Sequence, residues 1–247
     1  MKILLSVGVL LVLSMVTVRD AALSNDNFAG IFSPAFSEIN GYVSGEVSFF
    51  PKVGLAGAED RARFSLAVEP EYYLEYDGGA TITFRPFYRF DSVDSSRTHG
   101  DVRELLFQSS GMDWYLSLGV GKVFWGVAES KHLIDIVNQT DVVEGPNGEA
   151  KLGQPMVHLS TDLGLGFLDF LVMPYFRERE FPSRSGRFRD VLLVDSAKSS
   201  YETKLEQWHP DAAMRYTVSL GNWDLGLAQF YGTSREPSLA LGVTDDG

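Results

Sequence analysis

Charged residues recur at every second position in two neighbouring stretches of this chain. In FSLAVEPEYYLEY (64–76), Glu69, Glu71 and Glu75 share one face with Ser65 and Tyr73, while Phe64, Leu66, Val68, Pro70, Tyr72, Leu74 and Tyr76 share the other. In TITFRPFYRFD (81–91), Arg85 and Arg89 stand opposite Ile82, Phe84, Pro86, Tyr88 and Phe90. Arg103 and Lys122 follow in later stretches. Acids on one strand facing arginines on the next perform no covalent chemistry. They can set a transverse field that orients polar solutes and sorts them by charge, or they can be hydrated pairs that only keep an interior wet.

A second constellation, His158-Leu159-Ser160, has the spacing of a base and a nucleophile on one strand face, as outer-membrane phospholipases use them. In those enzymes the pair faces lipid, whereas here Val157 and Leu159 take the apolar side and turn His158 and Ser160 inward. The chain is therefore read as no enzyme, with no catalytic residue. His99, His132 and His209 lie in or beside separate loops, without metal-ligand spacing, and no metal or cofactor is expected.

The elements that must position these residues are strands. Period-two patterning places them near 38–50, 63–76, 81–91, 102–109, 113–125, 155–162, 167–178, 209–220 and 223–232. DGGA between the second and third is a tight hairpin signal. The connections alternate between long and short along the whole series. A soluble sandwich has no reason to collect its long loops at one end, whereas an outer-membrane barrel has short periplasmic turns and long extracellular loops. The expected fold is all-β, an antiparallel transmembrane β-barrel.

Composition agrees with this. The chain has 247 residues, no cysteine and a formal net charge of -12. Such a balance argues against nucleic acid, whose phosphates need a basic face. The absence of cysteine excludes disulfides and thiolate sites and suits a bacterial envelope protein. Lys2, the apolar run Ile3 to Val18 and the small residues Ala22 and Ser24 read as a signal peptide over residues 1–24. An uncleaved anchor is the alternative reading. After it no apolar run reaches the roughly 20 residues of a membrane helix, so residues 25–247 are read as the barrel.

The stretch MDWYLSLGVGKVFWG (112–126) fits lipid on one face and water on the other. Leu116, Leu118 and Val120 meet hydrocarbon, and Ser117, Gly119 and Gly121 face the interior. Trp114, with Tyr76 and Trp223, marks the short-turn interface; Phe124 and Trp125 mark the other as an aromatic girdle. Lys122 shares parity with Leu118. A bulge at Gly121-Lys122 would turn it inward, and snorkelling at the interface is the rival explanation. Pro70 and Pro86 each remove a ladder hydrogen bond in mid-strand.

The loop Val127 to Gln154 is the most distinctive connection. A short helix over Ala128 to Asn138 would carry Leu133, Ile134 and Val137 on one side, with Glu129, Lys131, His132 and Asp135 as candidates to line a constriction. Its place after the fifth predicted strand matches the constriction loop of general porins, by analogy. Packing over the rim or against a neighbouring subunit is the other reading. The loop Arg177 to Trp208 is cationic in its first half, suited to anionic solutes or lipopolysaccharide phosphates, or simply solvated.

RTHGDVRELLFQ, DWYLSLGVGKVFWGVAESKHLIDIVNQTD, KLGQPMVHLS and DFLVMPYFREREFP together resemble a family of Gram-negative outer-membrane barrels, distantly similar to porin-like and alginate-export-like proteins. The resemblance implies a transport barrel and brings no catalytic residue. It also implies an even strand number and an aromatic final strand, whereas about nine strands are visible and the sequence closes on GVTDDG; the chain is read as the N-terminal portion of a larger barrel, with a ten-strand barrel as the alternative. The expected function is a porin-like channel for small polar solutes, and the alternative is a non-conducting barrel with an adhesion or structural role. Expected surroundings are outer-membrane lipid and lipopolysaccharide, with a homotrimer possible.

Overall fold

A computed structural model describes residues 34–51, 60–125, 135–145 and 147–242, together with the backbone of 6–9. Its strands are β1 (Ser6–Val9), β2 (Phe36–Phe49), β3 (Ala62–Glu75), β4 (Thr81–Asp91), β5 (His99–Ser110), β6 (Trp114–Gly121), β7 (Gln154–Asp162), β8 (Phe167–Met173), β9 (Asp211–Leu220) and β10 (Trp223–Tyr231). Each pairs antiparallel with its sequence neighbours in one meander. The only helical pieces among the described residues are 3-10 turns at Ser95–Arg97, Ser196–Lys198 and Glu206–Trp208. No described helix is long and apolar enough to cross a membrane.

The nine expected strands correspond to β2–β10, with two differences. β6 stops at Gly121 and not near 125, and β8 stops at Met173 and not near 178. The reason at β6 is a competing set of hydrogen bonds. Asn138 Nδ2 donates to the Gly121 carbonyl at 2.9 Å, and its Oδ1 accepts from the Val123 N–H at 2.8 Å. That side chain replaces the ladder and turns the chain inward.

Short connections (76–80, 111–113, 163–166, 221–222) gather at one end, and long ones (50–61, 122–153, 174–210) at the other, with 92–98 of intermediate length. At the tip of the β3–β4 turn, Gly78 and Gly79 both have positive φ, +95° and +81°, which an L side chain resists. The sheet does not close: β10 pairs only with β9, and β1 lies on the other edge with Ser6–Val9 against Gly45–Ser48. β1 belongs to the segment read as a signal peptide.

The faces alternate as strand geometry requires. From Arg63 to Glu69 every second residue is buried, and the residues between them, Phe64, Leu66 and Val68, are exposed. The register keeps apolar residues in rows across strands: Val47, Phe64; Leu66, Phe90; Leu118, Val157, Val172. Large apolar side chains thus stand on the exposed face while charged ones are buried behind them.

Two features of the ladder were not visible in the pattern. Pro70 pairs with Gly41 of β2, and the constant β3–β4 register brings it opposite Pro86 of β4. Across the β4–β5 pair the register shifts at Arg85/Pro86, so that Arg85 opposes Glu104 while Pro86 opposes Val102. Arg103 is the extra residue of a bulge, placed where proline has no N–H to give. The bulge leaves Val102 and Leu105 both exposed and turns the consecutive Arg103 and Glu104 to the inner side.

The buried apolar core is small and lies under the β6–β7 loop: Leu106, Trp125, Val137, Met156, Leu171, Met173 and Ala213. This corrects the girdle assignment of Trp125, which is 2% exposed. Because the chain leaves the sheet after Gly121, strand parity no longer governs Trp125, and its ring turns inward.

Candidate functional site

The inner face of β2–β5 is a wall of ion pairs in two groups. Arg85 is the centre of the first, with Glu69 at 2.5 Å, Glu71 at 3.2 Å and Glu104 at 3.5 Å. Tyr42 donates to Glu69 at 3.1 Å. The second group lies toward the long-loop end, where Glu46 meets Arg63 at 2.7 Å, Arg97 at 3.5 Å and Arg89 at 3.8 Å. Asp91 joins Arg97 at 3.1 Å and Arg63 at 3.6 Å. Burial, and then the neighbouring Arg89, hold the Arg97 guanidinium below its ordinary pKa. Three arginines packed this closely repel one another, and the two carboxylates between them offset that.

The described part of the long loop, 135–145 with 147–153, folds onto this wall. Arg89 grips Glu144, its Nε 2.9 Å from both carboxylate oxygens and its Nη2 2.9 Å from one of them. Arg103 donates to Asp141 at 2.6 Å, and Arg97 donates to the Val143 carbonyl at 2.9 Å. Asn138 adds a bond to the Leu152 carbonyl, also 2.9 Å. Such a loop is fixed from both sides, by charge on the wall and by Val137 in the core.

Of the expected constriction residues, Glu129, Lys131 and His132 lie outside the described residues, and Asp135 is tied to Lys151 within the loop at 3.4 Å. The helix expected over Ala128 to Asn138 falls mostly outside them too, and 135–138 is irregular chain. The loop side chains that pair with the wall are Asp141 and Glu144. A local signal for them exists in the sequence TDVVEG: Asp141 Oδ1 accepts the Glu144 N–H at 3.0 Å, an Asx-type turn that aims both carboxylates one way.

The other expected interior residues are placed as follows. Glu69 and Arg103 are buried, Glu71, Arg85 and Arg89 half-buried, and Glu75 exposed near the short-turn end. Lys122, exposed just past β6, stands in the field of Arg103, Glu69, Arg85 and Asp101. Glu104, Glu46, Arg63, Asp91 and Asp101 also line the inner wall, although the pattern did not single them out. Trp114, Phe124 and Trp223 are exposed and Tyr76 half-buried.

The remaining long loop is held by its own arginines. Arg177 pairs with Asp101 at 2.8 Å, and Arg179 with Glu236 at 2.9 Å. Arg187 lies 4.3 Å over the Phe50 ring, and Arg189 donates to the Arg184 carbonyl at 2.7 Å. Burial, and then the bond it donates to Glu178, raise the Tyr201 phenol above its usual pKa. In the segment after β10, Arg235 joins Asp211 at 2.5 Å and sits over the rings of Phe176 and Phe230. On β7, His158 contacts Asp169 at 3.1 Å, and Ser160 is the residue opposite Asp169 in the β7–β8 ladder. Among the described residues no group of three or more His, Cys, Asp or Glu is placed to hold a metal.

No family model matches the chain, and no curated protein or solved structure matches it either.

Proposed function

We propose that the chain forms the wall of an outer-membrane β-barrel, of the porin-like kind, that admits small polar solutes. The observation that carries this reading is the inverted sheet: Phe64, Leu66, Val68, Phe90, Leu105 and Val172 are exposed, while Arg63, Asp91, Arg103 and Glu69 are buried behind them. Water does not favour that arrangement, and hydrocarbon does. The gathering of long loops at one end, with aromatic residues near both ends of the strands, agrees with it. The signal peptide supplies export, and with β1 removed β2 and β10 run in the same direction. Closing such a sheet antiparallel takes an odd number of further strands.

In this function the wall acts by charge. Arg85 among three carboxylates and Arg89 against Glu144 fix a field across the interior, and the docked loop narrows it. The double clamp of that loop also favours a second reading, a closed barrel with a structural or adhesive role. Single-channel conductance of the full-length gene product in a planar bilayer separates them. A channel conducts steadily, and changing Arg85 and Arg89 together to Ala shifts its preference toward cations, because the carboxylates remain. A folded barrel that never conducts would sink the transport reading.

A further inference from the structure

The strands of the wall are not equally tall at the long-loop end. β5 begins at His99, but its pairing with β6 begins only at Leu105↔Val120. β6 ends at Gly121, β7 begins opposite it at Gln154, and both chains turn inward there. The outer half of β5 therefore has a strand partner on the β4 side alone. The gap is occupied by a cavity of about 550 Å³, lined by Val102, Val120 and Pro155 from the exposed face and by Phe87 and Asp101 from the inner face, with Tyr175 and Arg177 across it. Its lining joins apolar residues of the exposed face to a buried ring and a carboxylate of the inner face.

One ion pair spans it. Arg177 reaches Asp101 at 2.8 Å and donates to the Gly153 carbonyl at 2.8 Å. Asp101 has a second cation, Arg103 at 3.2 Å, and Arg103 has a second carboxylate, Asp141 at 2.6 Å. If Arg177 leaves, Asp101 keeps a partner, so Arg177 is the cation most readily transferred to an incoming anion. The exposed Lys122 adds positive charge in the field of Asp101 and Arg103. The lining asks for an aliphatic chain and the rim for an anionic head.

We propose that this notch is a lateral binding site for a single-chain amphiphilic carboxylate, entered from the apolar face and closed by the Arg177–Asp101 pair. The volume lies within the range of small-ligand sites, about 300–1,000 Å³. The inference rests on the exposed face meeting lipid, and the experiment keeps the two apart.

The chain contains no cysteine, so a single Val120→Cys carries bimane at the notch, and Leu225→Cys on β10 serves as the control on the same face. Full-length protein in phosphatidylcholine vesicles is titrated with doxyl-labelled stearate. The expected result is saturable quenching at the notch in excess of the control, displaced by unlabelled laurate. Arg177→Gln weakens it at least tenfold, Arg177→Lys by less, and Val102→Trp abolishes it by filling the cavity without touching a charge. Equal, non-saturating quenching at both sites would overturn the notch while leaving the lipid-facing sheet intact. No quenching at either site by doxyl-labelled phosphatidylcholine would overturn both.

Discussion

The inner faces of β2–β5 and of β8–β10 differ in what covers them. On β2–β5 nearly every charged group has a fixed partner: Arg63, Arg85, Arg89 and Arg103 each meet one or more carboxylates, and the docked loop supplies two of these, Asp141 and Glu144. β8 and β9 instead give Leu171, Met173 and Ala213 to the apolar core, and β10 has almost no cover, being exposed along both faces, with Trp223 at 73% and Leu227 at 76%. The loop is thus seated asymmetrically, by ion pairs on one arc and by apolar packing on the other. Buried charge makes an arc intolerant of change because each group removed leaves another uncompensated, whereas a half-covered strand has little to lose.

The largest effect expected from this contrast is at Arg103. Arg103→Met leaves the buried Asp141 carboxylate without its cation, a loss of about 3–5 kcal/mol. Arg215→Met, on the half-buried inner face of β9, loses less than about 1 kcal/mol. Urea unfolding in vesicles followed by tryptophan fluorescence measures both, and equal losses would remove the contrast between the arcs.

A smaller difference is expected from glycines. Gly119 of β6 has φ +130°, and a Cβ there would stand 2.0 Å from the Leu105 carbonyl oxygen. Gly119→Ala should cost about 1–3 kcal/mol through backbone strain. At Gly226 of β10 the nearest atom to an added Cβ is 3.8 Å away, so Gly226→Ala should change stability by no more than about 0.5 kcal/mol. The same titration checks this pair.

The smallest effect concerns acid. The bond from Arg179 holds the Glu236 carboxyl below its ordinary value of 4.5. A depressed folded value means that the contribution is complete above the ordinary pKa and is lost as pH falls through the folded one. Hydrogen exchange of a peptide covering 233–242, corrected for intrinsic rate, should therefore show protection falling below about pH 4.5. Glu236→Gln should remove that pH dependence and leave exchange in β3 unchanged.

Much of the sheet was legible because strand alternation is local. Phe64 to Tyr76 and Thr81 to Asp91 announce their faces residue by residue, and the structure keeps those faces. The docking was less legible because its bonds span long stretches of chain. Arg103 and Asp141 are 38 residues apart, and Arg177 and Asp101 are 76 apart. No periodicity connects such pairs. Trp125 failed as a parity reading because Asn138 takes over the hydrogen bonds a longer β6 would have made, and the same early end of β6 leaves Lys122 just past the strand, beside the charges of the inner wall.

By itself, then, the order of residues determined where strands run, which side of each is apolar, and that long loops gather at one end, since these follow from steric and hydrophobic preferences acting over a few residues. Tertiary structure alone decided which charge meets which, that the β5 bulge turns Arg103 and Glu104 inward together, that Trp125 belongs to the core, and that the wall is notched beside β5. Those outcomes depend on register and on loops folding back across the sheet, where a shift of one residue moves a side chain to the opposite face.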